Sequence, residues 1–499
     1  MTTPEASHEQ SVVGRPEDAL DRRWNLLIDG ELVPAIGGRY VESLDPSTEL
    51  PAARVPDAGP DDVSRAVDAA QDASRTWRRM APRERARLVR ALGAAVGAHA
   101  EELALLDALD GGFPISNMRN DVGWATELVE LFADSSMALG GDTVPASAEH
   151  LHYTVREPFG VVGRIVPFNH PLFFAIGKVA APLVAGNTVV LKPADQTPLS
   201  ALRFGELAAD VLPRGVLNVL SGVGPAVGQT LVAHPAVRRL AFIGSDAVGR
   251  QIQRAAAEVG VKDVTLELGG KNAMLVLPGA DLDRAVTGAV HGMNFVGASG
   301  QSCGSNSRVL IHRDLEREFT DRVAAVVDEL RLGSPLRDDT QVGPLISEAQ
   351  RGRTEAYVEL GRTDGAQVVS GGQRPSQFEK GFFYEPTVFR AVDPRSRLAN
   401  EEVFGPVLSI ITFDSEAEAV EIANGVEFGL TASVWTDDIR TAHRVVRELD
   451  AGYVWINGSS RHFWGMPFGG TKSSGVGREE SVGELLSFTQ LKAVNVMLD

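Results

Sequence analysis

The 499-residue chain holds one cysteine, Cys303, so no disulfide forms within it and a reducing compartment is enough for it. It contains no run of about 18 uninterrupted apolar residues, the length a membrane-crossing helix needs. Positive charge is scarce: 48 Lys and Arg stand against 66 Asp and Glu, a net charge of −18. That balance opposes nucleic acid and anionic membrane surfaces, which bind through a basic footprint. Small molecules are the expected partners, with no nucleic acid, membrane or metal. The first residues offer neither the apolar segment of a signal peptide nor an arginine-rich transit segment. Residues 1–21 are therefore expected to be a loose tail on a cytoplasmic protein.

Apolar residues are plentiful at 43%, and the length suggests two or three domains. Trp24-Asn25-Leu26-Leu27-Ile28-Asp29-Gly30 followed by Glu31-Leu32-Val33 predicts a short hairpin turned at Asp-Gly. Apolar spacing predicts a helix after Pro60 through Val63, Val67, Ala70 and Trp77. It predicts a second helix carrying Leu88, Leu92, Val96, Leu103 and Leu106 as far as Gly111-Gly112. From Val161 to Gly270, β-branched runs alternate with helical ones, the rhythm of a parallel α/β sheet. Such sheets bind ligands past the carboxyl ends of their strands.

Those strand ends hold the candidates. Past Val166 comes Pro167-Phe168-Asn169-His170-Pro171, where Asn169 either presents its amide to an oxyanion or satisfies its own turn. Past Leu191, Lys192 and Asp195 suit ribose hydroxyls or a solvated loop. Gly222-Val223-Gly224 superficially matches a dinucleotide fingerprint, but the spacing is loose and Pro225 alters the turn. The better phosphate site is Phe242-Ile243-Gly244-Ser245 leading into a helix that contains Gly249. Glu267, at a strand end before Gly269-Gly270, suits a general base.

Beyond Gly270 a second α/β region contains the Gly300-Gln301-Ser302-Cys303-Gly304 loop. A lone cysteine is usually a small buried hydrophobe. These polar, turn-prone flanks point instead to a nucleophile, one that needs local help because a free thiol ionises only near pH 8.5 (roughly). The terminal strand-like Ala493–Met497 has no obvious partner and is expected to pair with another subunit.

Five motifs together resemble the aldehyde dehydrogenase superfamily from about Trp24 to the C-terminus. They are Gly-Gln-Ser-Cys303, Glu267-Leu-Gly-Gly-Lys, Pro-Phe-Asn169-His-Pro, Glu-Glu402-Val-Phe404-Gly-Pro and Pro467-Phe-Gly-Gly-Thr-Lys-Ser-Ser-Gly. The resemblance implies a Rossmann-like parallel-sheet cofactor domain, a second α/β catalytic domain and a small β oligomerisation arm. It implies a cofactor domain at 22–139 and 160–270, an arm at 140–159 and 487–499, a catalytic domain at 271–486, and a homodimer or homotetramer. In the implied chemistry Cys303 attacks the aldehyde, Asn169 and the Cys303 N–H hold the alkoxide, and Glu267 deprotonates the hydrolytic water. Lys192 and Asp195 are implied at the adenosine ribose, Gly244, Ser245 and Gly249 at the pyrophosphate turn, and Glu402, Phe404, Phe168 and Pro167 near the nicotinamide.

The usual residue at the ribose carboxylate is Glu. Asp195 still repels a 2′-phosphate, so NAD is expected, and its shorter reach keeps NADP as the alternative. Glu267 favours water over coenzyme A as acyl acceptor. The resemblance places His170, Phe173, Phe174 and Gly177 on one side of the aldehyde tunnel and Arg461, His462, Phe463 and Trp464 on the other. The phenylalanines serve equally well as helix core; Gly177 would widen the tunnel, and Arg461 would favour an anionic tail. A medium-sized aromatic or aliphatic aldehyde is the expected substrate. A cysteine-dependent hydrolase using His170 or His462 and a non-catalytic binding protein are the alternatives.

Overall fold

A computed structural model of the chain describes residues 14–498. Two large sheets dominate it. The first has eight strands, with five parallel ones, Leu217–Val219, Thr188–Lys192, Val161–Ile165, Val237–Ile243 and Asp263–Glu267, side by side in that order. The hairpin Leu26–Ile28 and Glu31–Val33 forms as expected and extends one edge antiparallel. Chain order reverses between Val161–Ile165 and Val237–Ile243, where α/β folds open a ligand crevice. Every residue of Thr188–Lys192 is buried, which is why the run reads as continuous apolar sequence rather than alternation.

The second sheet has seven strands in the order Gln367–Ser370, Thr387–Arg390, Val407–Phe413, Arg308–His312, Ala273–Val276, Thr431–Trp435 and Tyr453–Ile456. All neighbouring pairs are parallel except the first. The chain leaves the first sheet at Glu267 and enters the second at Ala273. The carboxyl edge of one sheet is thereby joined to the amino edge of the other by five residues.

Helix ends follow local chemistry. Pro60 opens the helix Pro60–Trp77, and Asp62 accepts from the Gly59 N–H at 2.9 Å, so one orphan donor is satisfied. The helix Pro171–Ala185 is buried along its whole length and closes at Gly186, whose φ of 99° only glycine adopts readily. The predicted second helix is two, Pro82–Ala98 and Ala100–Gly111. The break falls at His99, whose Nδ1 lies 2.9 Å from Glu102 Oε2, and an unbroken apolar stripe concealed it.

Three expectations need correction. Pro16–Asp21 is a helix with Ala19 buried, and Trp24 Nε1 donates to the Ala19 carbonyl at 3.0 Å, so the loose tail does not run to Asp21; residues 1–13 lie outside the described residues. The last strand, Thr489–Met497, has a partner in its own chain. It pairs antiparallel with His150–Pro158 along nine positions, and Thr143–Val144 adds a third strand. The segment expected in the catalytic domain also crosses back: Gly475–Val476 pairs with Asp263–Glu267, and Leu485 joins the core beneath the first sheet, as does Phe488 from the segment expected in the arm.

Candidate active site

The Cys303 loop sits at the amino edge of the second sheet, just before Arg308–His312. Its polar flanks are structural. Gln301 is fully buried and accepts from the Ile346 N–H at 3.0 Å. Asn272 Nδ2 donates to the Cys303 carbonyl at 2.7 Å and to the Ser305 carbonyl at 2.9 Å. Arg308 donates to the carbonyls of Lys271, Ile422 and Ala423, each at 2.9 Å. Gly300 has φ 71°, and a Cβ there would fall 2.4 Å from the Gly405 carbonyl oxygen. Only Ser302, Cys303 and Gly304 of this segment are half-exposed, so polarity here holds the loop and leaves the thiol reachable. Burial, with the charges of Glu402, Glu267 and Glu480, pushes the Cys303 thiol up to about 12.

Glu267 ends its strand on the facing edge, buried, and neither carboxylate oxygen has a hydrogen-bond partner among the described residues. Burial, then the Glu479 charge, hold its carboxyl well above the ordinary range. The glycine-rich Pro467–Gly475 stretch is its backing. A Cβ on Gly469 would fall 2.7 Å from Glu267 Oε1, and Ser474 Oγ donates to the Gly269 carbonyl at 2.8 Å. Asn169 is buried just past Val161–Ile165, and its amide takes no side-chain partner among the described residues.

The expected cofactor residues gather along the carboxyl edge of the first sheet. Lys192 Nζ pairs with Asp195 Oδ1, and Asp195 Oδ2 accepts from the Gly224 N–H at 2.7 Å. The weak glycine motif therefore lies beside the ribose candidates. Ser245 caps the helix Asp246–Val259, its Oγ accepting from Val248, while the Gly244 N–H donates to the Glu267 carbonyl at 3.0 Å. Gly249 is buried, and a Cβ there would fall 2.7 Å from Leu268, so it lets helix and strand end close together. Glu402 Oε1 accepts from the Gly270 N–H at 2.8 Å, and burial pushes its carboxyl up to about 7. Phe404, at φ 58°, stands edge-on to Phe168 at 5.7 Å, with Pro167 half-buried alongside.

The residues expected at the aldehyde tunnel include a run of neighbouring rings. Cys303 packs against the cluster of Leu430, Tyr453, Trp455 and Phe468, and His462 lies 4.6 Å from Phe468. Phe173, 7% exposed, stacks on Trp464 at 6.1 Å and meets Phe174 and His170. The two phenylalanines thus belong both to the core and to this run of rings. Gly177 does not add room: a Cβ there would meet Leu128 at 3.0 Å, so the space is already taken by the helix Ile115–Asp134. Arg461 lies exposed over the Phe463 ring at 5.0 Å, at the rim.

Sequence reasoning missed Phe468, although it sits inside a quoted motif. It also missed Asp121 and Glu480, the buried carboxylates 2.7 Å from the Nδ1 atoms of His170 and His462. Below Glu267 it missed a cluster in which Arg164 donates to Glu479 at 2.6 Å and Lys178 pairs with Glu479 at 2.9 Å.

Comparison with known proteins decides the family. The profile of the Aldehyde dehydrogenase family matches residues 33–494. The chain belongs to that family. This aldehyde dehydrogenase is 41% identical to the aldehyde dehydrogenase tropH of Talaromyces stipitatus, over 97% of this chain and 95% of that one. The NAD+ complex of an aldehyde dehydrogenase from Bacillus cereus is 40% identical, with a TM-score of 0.94, covering 97% of this chain and 98% of that chain. Betaine aldehyde dehydrogenase from Staphylococcus aureus, in complex with NAD+, is 32% identical, with a TM-score of 0.94 over 97% of each chain. Among the described residues no helix is long and apolar enough to cross a membrane.

Proposed function

We propose that Cys303, Glu267 and Asn169 oxidise a medium-sized aromatic or aliphatic aldehyde to its carboxylic acid, with NAD as the electron acceptor. The carrying observation is Glu267: a buried carboxylate without a hydrogen-bond partner among the described residues, its charge acting on the only thiol. A carboxyl held high and left unpaired is what accepting a proton from water requires. Lys192, Asp195, Ser245 and Glu402 suit a dinucleotide, because carboxylates and a helix amino end line the crevice where the first sheet reverses. NAD supplies the hydride acceptor there, and the Asp195 charge disfavours the 2′-phosphate of NADP.

The chain's own steps follow. Cys303 loses its proton to solvent water as Sγ bonds to the aldehyde carbon, and the carbonyl π pair becomes an alkoxide held by the Asn169 amide and the Cys303 N–H. Oxidation of that carbon leaves a thioester on Sγ. Glu267 takes a proton from water, the resulting hydroxide adds to the thioester carbon, and the thiolate leaves as the acid departs. A cysteine hydrolase fits less well. The charged groups acting on Cys303 are carboxylates, and both tunnel histidines commit Nδ1 to Asp121 and Glu480.

A homodimer or homotetramer is supported by the three-stranded sheet, whose outer strand Thr489–Met497 leaves one edge open with Leu491 and Met497 exposed. A reducing cytoplasm keeps the single thiol available. The test is NADH formation over an aldehyde panel with wild type and Cys303→Ala. The variant is expected to lose about 10⁴-fold or more. Retained oxidation would overturn the assignment, and best turnover on acetaldehyde or a quaternary ammonium aldehyde would overturn the substrate class.

A further inference from the structure

We propose that the substrate carries a second oxygen function, a hydroxyl or a carboxylate, remote from its aldehyde, and that His170 and His462 bind it through Nε2. The inference rests on the reading of Cys303 as nucleophile and names the substrate class for that site. His170 immediately precedes the helix Pro171–Ala185, and His462 lies in the loop after Tyr453–Ile456. Each ring gives Nδ1 to a buried carboxylate, Asp121 or Glu480, at 2.7 Å. Such a pairing fixes ring orientation and places the proton on Nδ1, leaving Nε2 as the free edge. The side chains are 20% and 31% exposed, and neither Nε2 meets a partner among the described residues.

Both imidazoles belong to the run of neighbouring rings. From Phe468, in the cluster that Cys303 packs against, the ring centroids run 4.6 Å to His462, then 6.5 Å to Trp464, 6.1 Å to Phe173 and 6.3 Å to His170. A hydrocarbon tail along these rings would strip water from two imidazole edges and give nothing back. An oxygen at the tail's end accepts from Nε2–H when the ring is charged, and a hydroxyl donates to Nε2 when it is neutral. Burial works to lower the His170 titration, but Asp121, Asp107 and Glu480 together raise it, which favours the charged, donating form. Arg461, exposed over the Phe463 ring, favours an anionic tail, while Asp121, Glu480 and the Glu127 carboxylate 2.7 Å from Trp464 Nε1 oppose one, and the carboxylate arm of the test decides between them.

The test compares kcat/KM for para-hydroxybenzaldehyde and para-carboxybenzaldehyde with para-tolualdehyde, and for succinic semialdehyde with butyraldehyde, in wild type. An oxygenated member is expected to exceed its hydrocarbon analogue by about tenfold or more. A response in the hydroxyl arm alone assigns a neutral acceptor edge, and one in the carboxylate arm alone assigns imidazolium. His170→Phe with His462→Phe is expected to bring that ratio towards one, with NADH binding by fluorescence confirming a folded variant. Equal or better turnover of the hydrocarbon analogues in wild type would overturn the proposal, as would a ratio that survives in the folded double variant. No NADH from any aldehyde would remove the reaction and this inference together.

Discussion

Glu267 and Glu479 are both buried within one cleft region, yet their carboxyls move in opposite directions. Burial raises each of them. Glu479 has Arg164 and Lys178 against it, and these cations outweigh burial and bring it down to about 2. Glu267 has no hydrogen-bond partner among the described residues, and the Glu479 charge raises it further. Partners decide which buried acid is scaffold and which is free to take a proton.

The sharpest way to break that contrast is Glu479→Gln, which leaves Arg164 and Lys178 buried without their shared anion. It should destabilise the fold by about 3–5 kcal/mol in urea unfolding. Next, Glu267→Gln should lower steady-state turnover by about 10²–10⁴-fold while preserving a rapid burst of NADH, because only thioester hydrolysis loses its base. Asn169→Ala should cost about 10²–10³-fold in kcat and suppress the burst rate itself, placing it before the thioester. The smallest effects are the pH trends. Glu267 sits above its unfolded value, so its contribution is most favourable below the ordinary carboxylate range and is lost as pH rises. The melting temperature of Glu267→Gln should therefore gain on wild type from pH 5 to pH 9 (about one to a few degrees). Glu479 is depressed, so its contribution is full above the ordinary range and lost as pH falls towards about 2, where Glu479→Gln and wild type should converge.

Elements with a local signature were legible in sequence. The run Thr188–Leu191, the Asp-Gly hairpin and the Pro60 helix start follow from neighbours along the chain, and the structure contains all three, the strand extending one residue further to Lys192. Strand ends carrying Asn169, Glu267 and Asp195 were legible for the same reason, since an α/β rhythm locates its own crevice. What stayed hidden lies in partners far along the chain. Asp121 stands 49 residues from His170, and Glu479 stands 315 from Arg164. No periodicity relates them. The Cys303 flanks misled in a different way: Gln301 and Asn306 look like solvent-facing polar residues, yet both are fully buried as struts.

The ribbon formed by His150–Pro158 and Thr489–Met497 joins segments whose nearest paired residues are Pro158 and Thr489. During synthesis the earlier strand leaves the ribosome first and waits for its mate, a delay of roughly 20–60 s at ordinary translation speeds. Through that interval its neighbour is Thr143–Val144 alone, and a nascent chain on an adjacent ribosome meets an unclosed β edge. Closure of this edge thus waits for Thr489–Met497, and a chain truncated before Thr489 would leave it open for good.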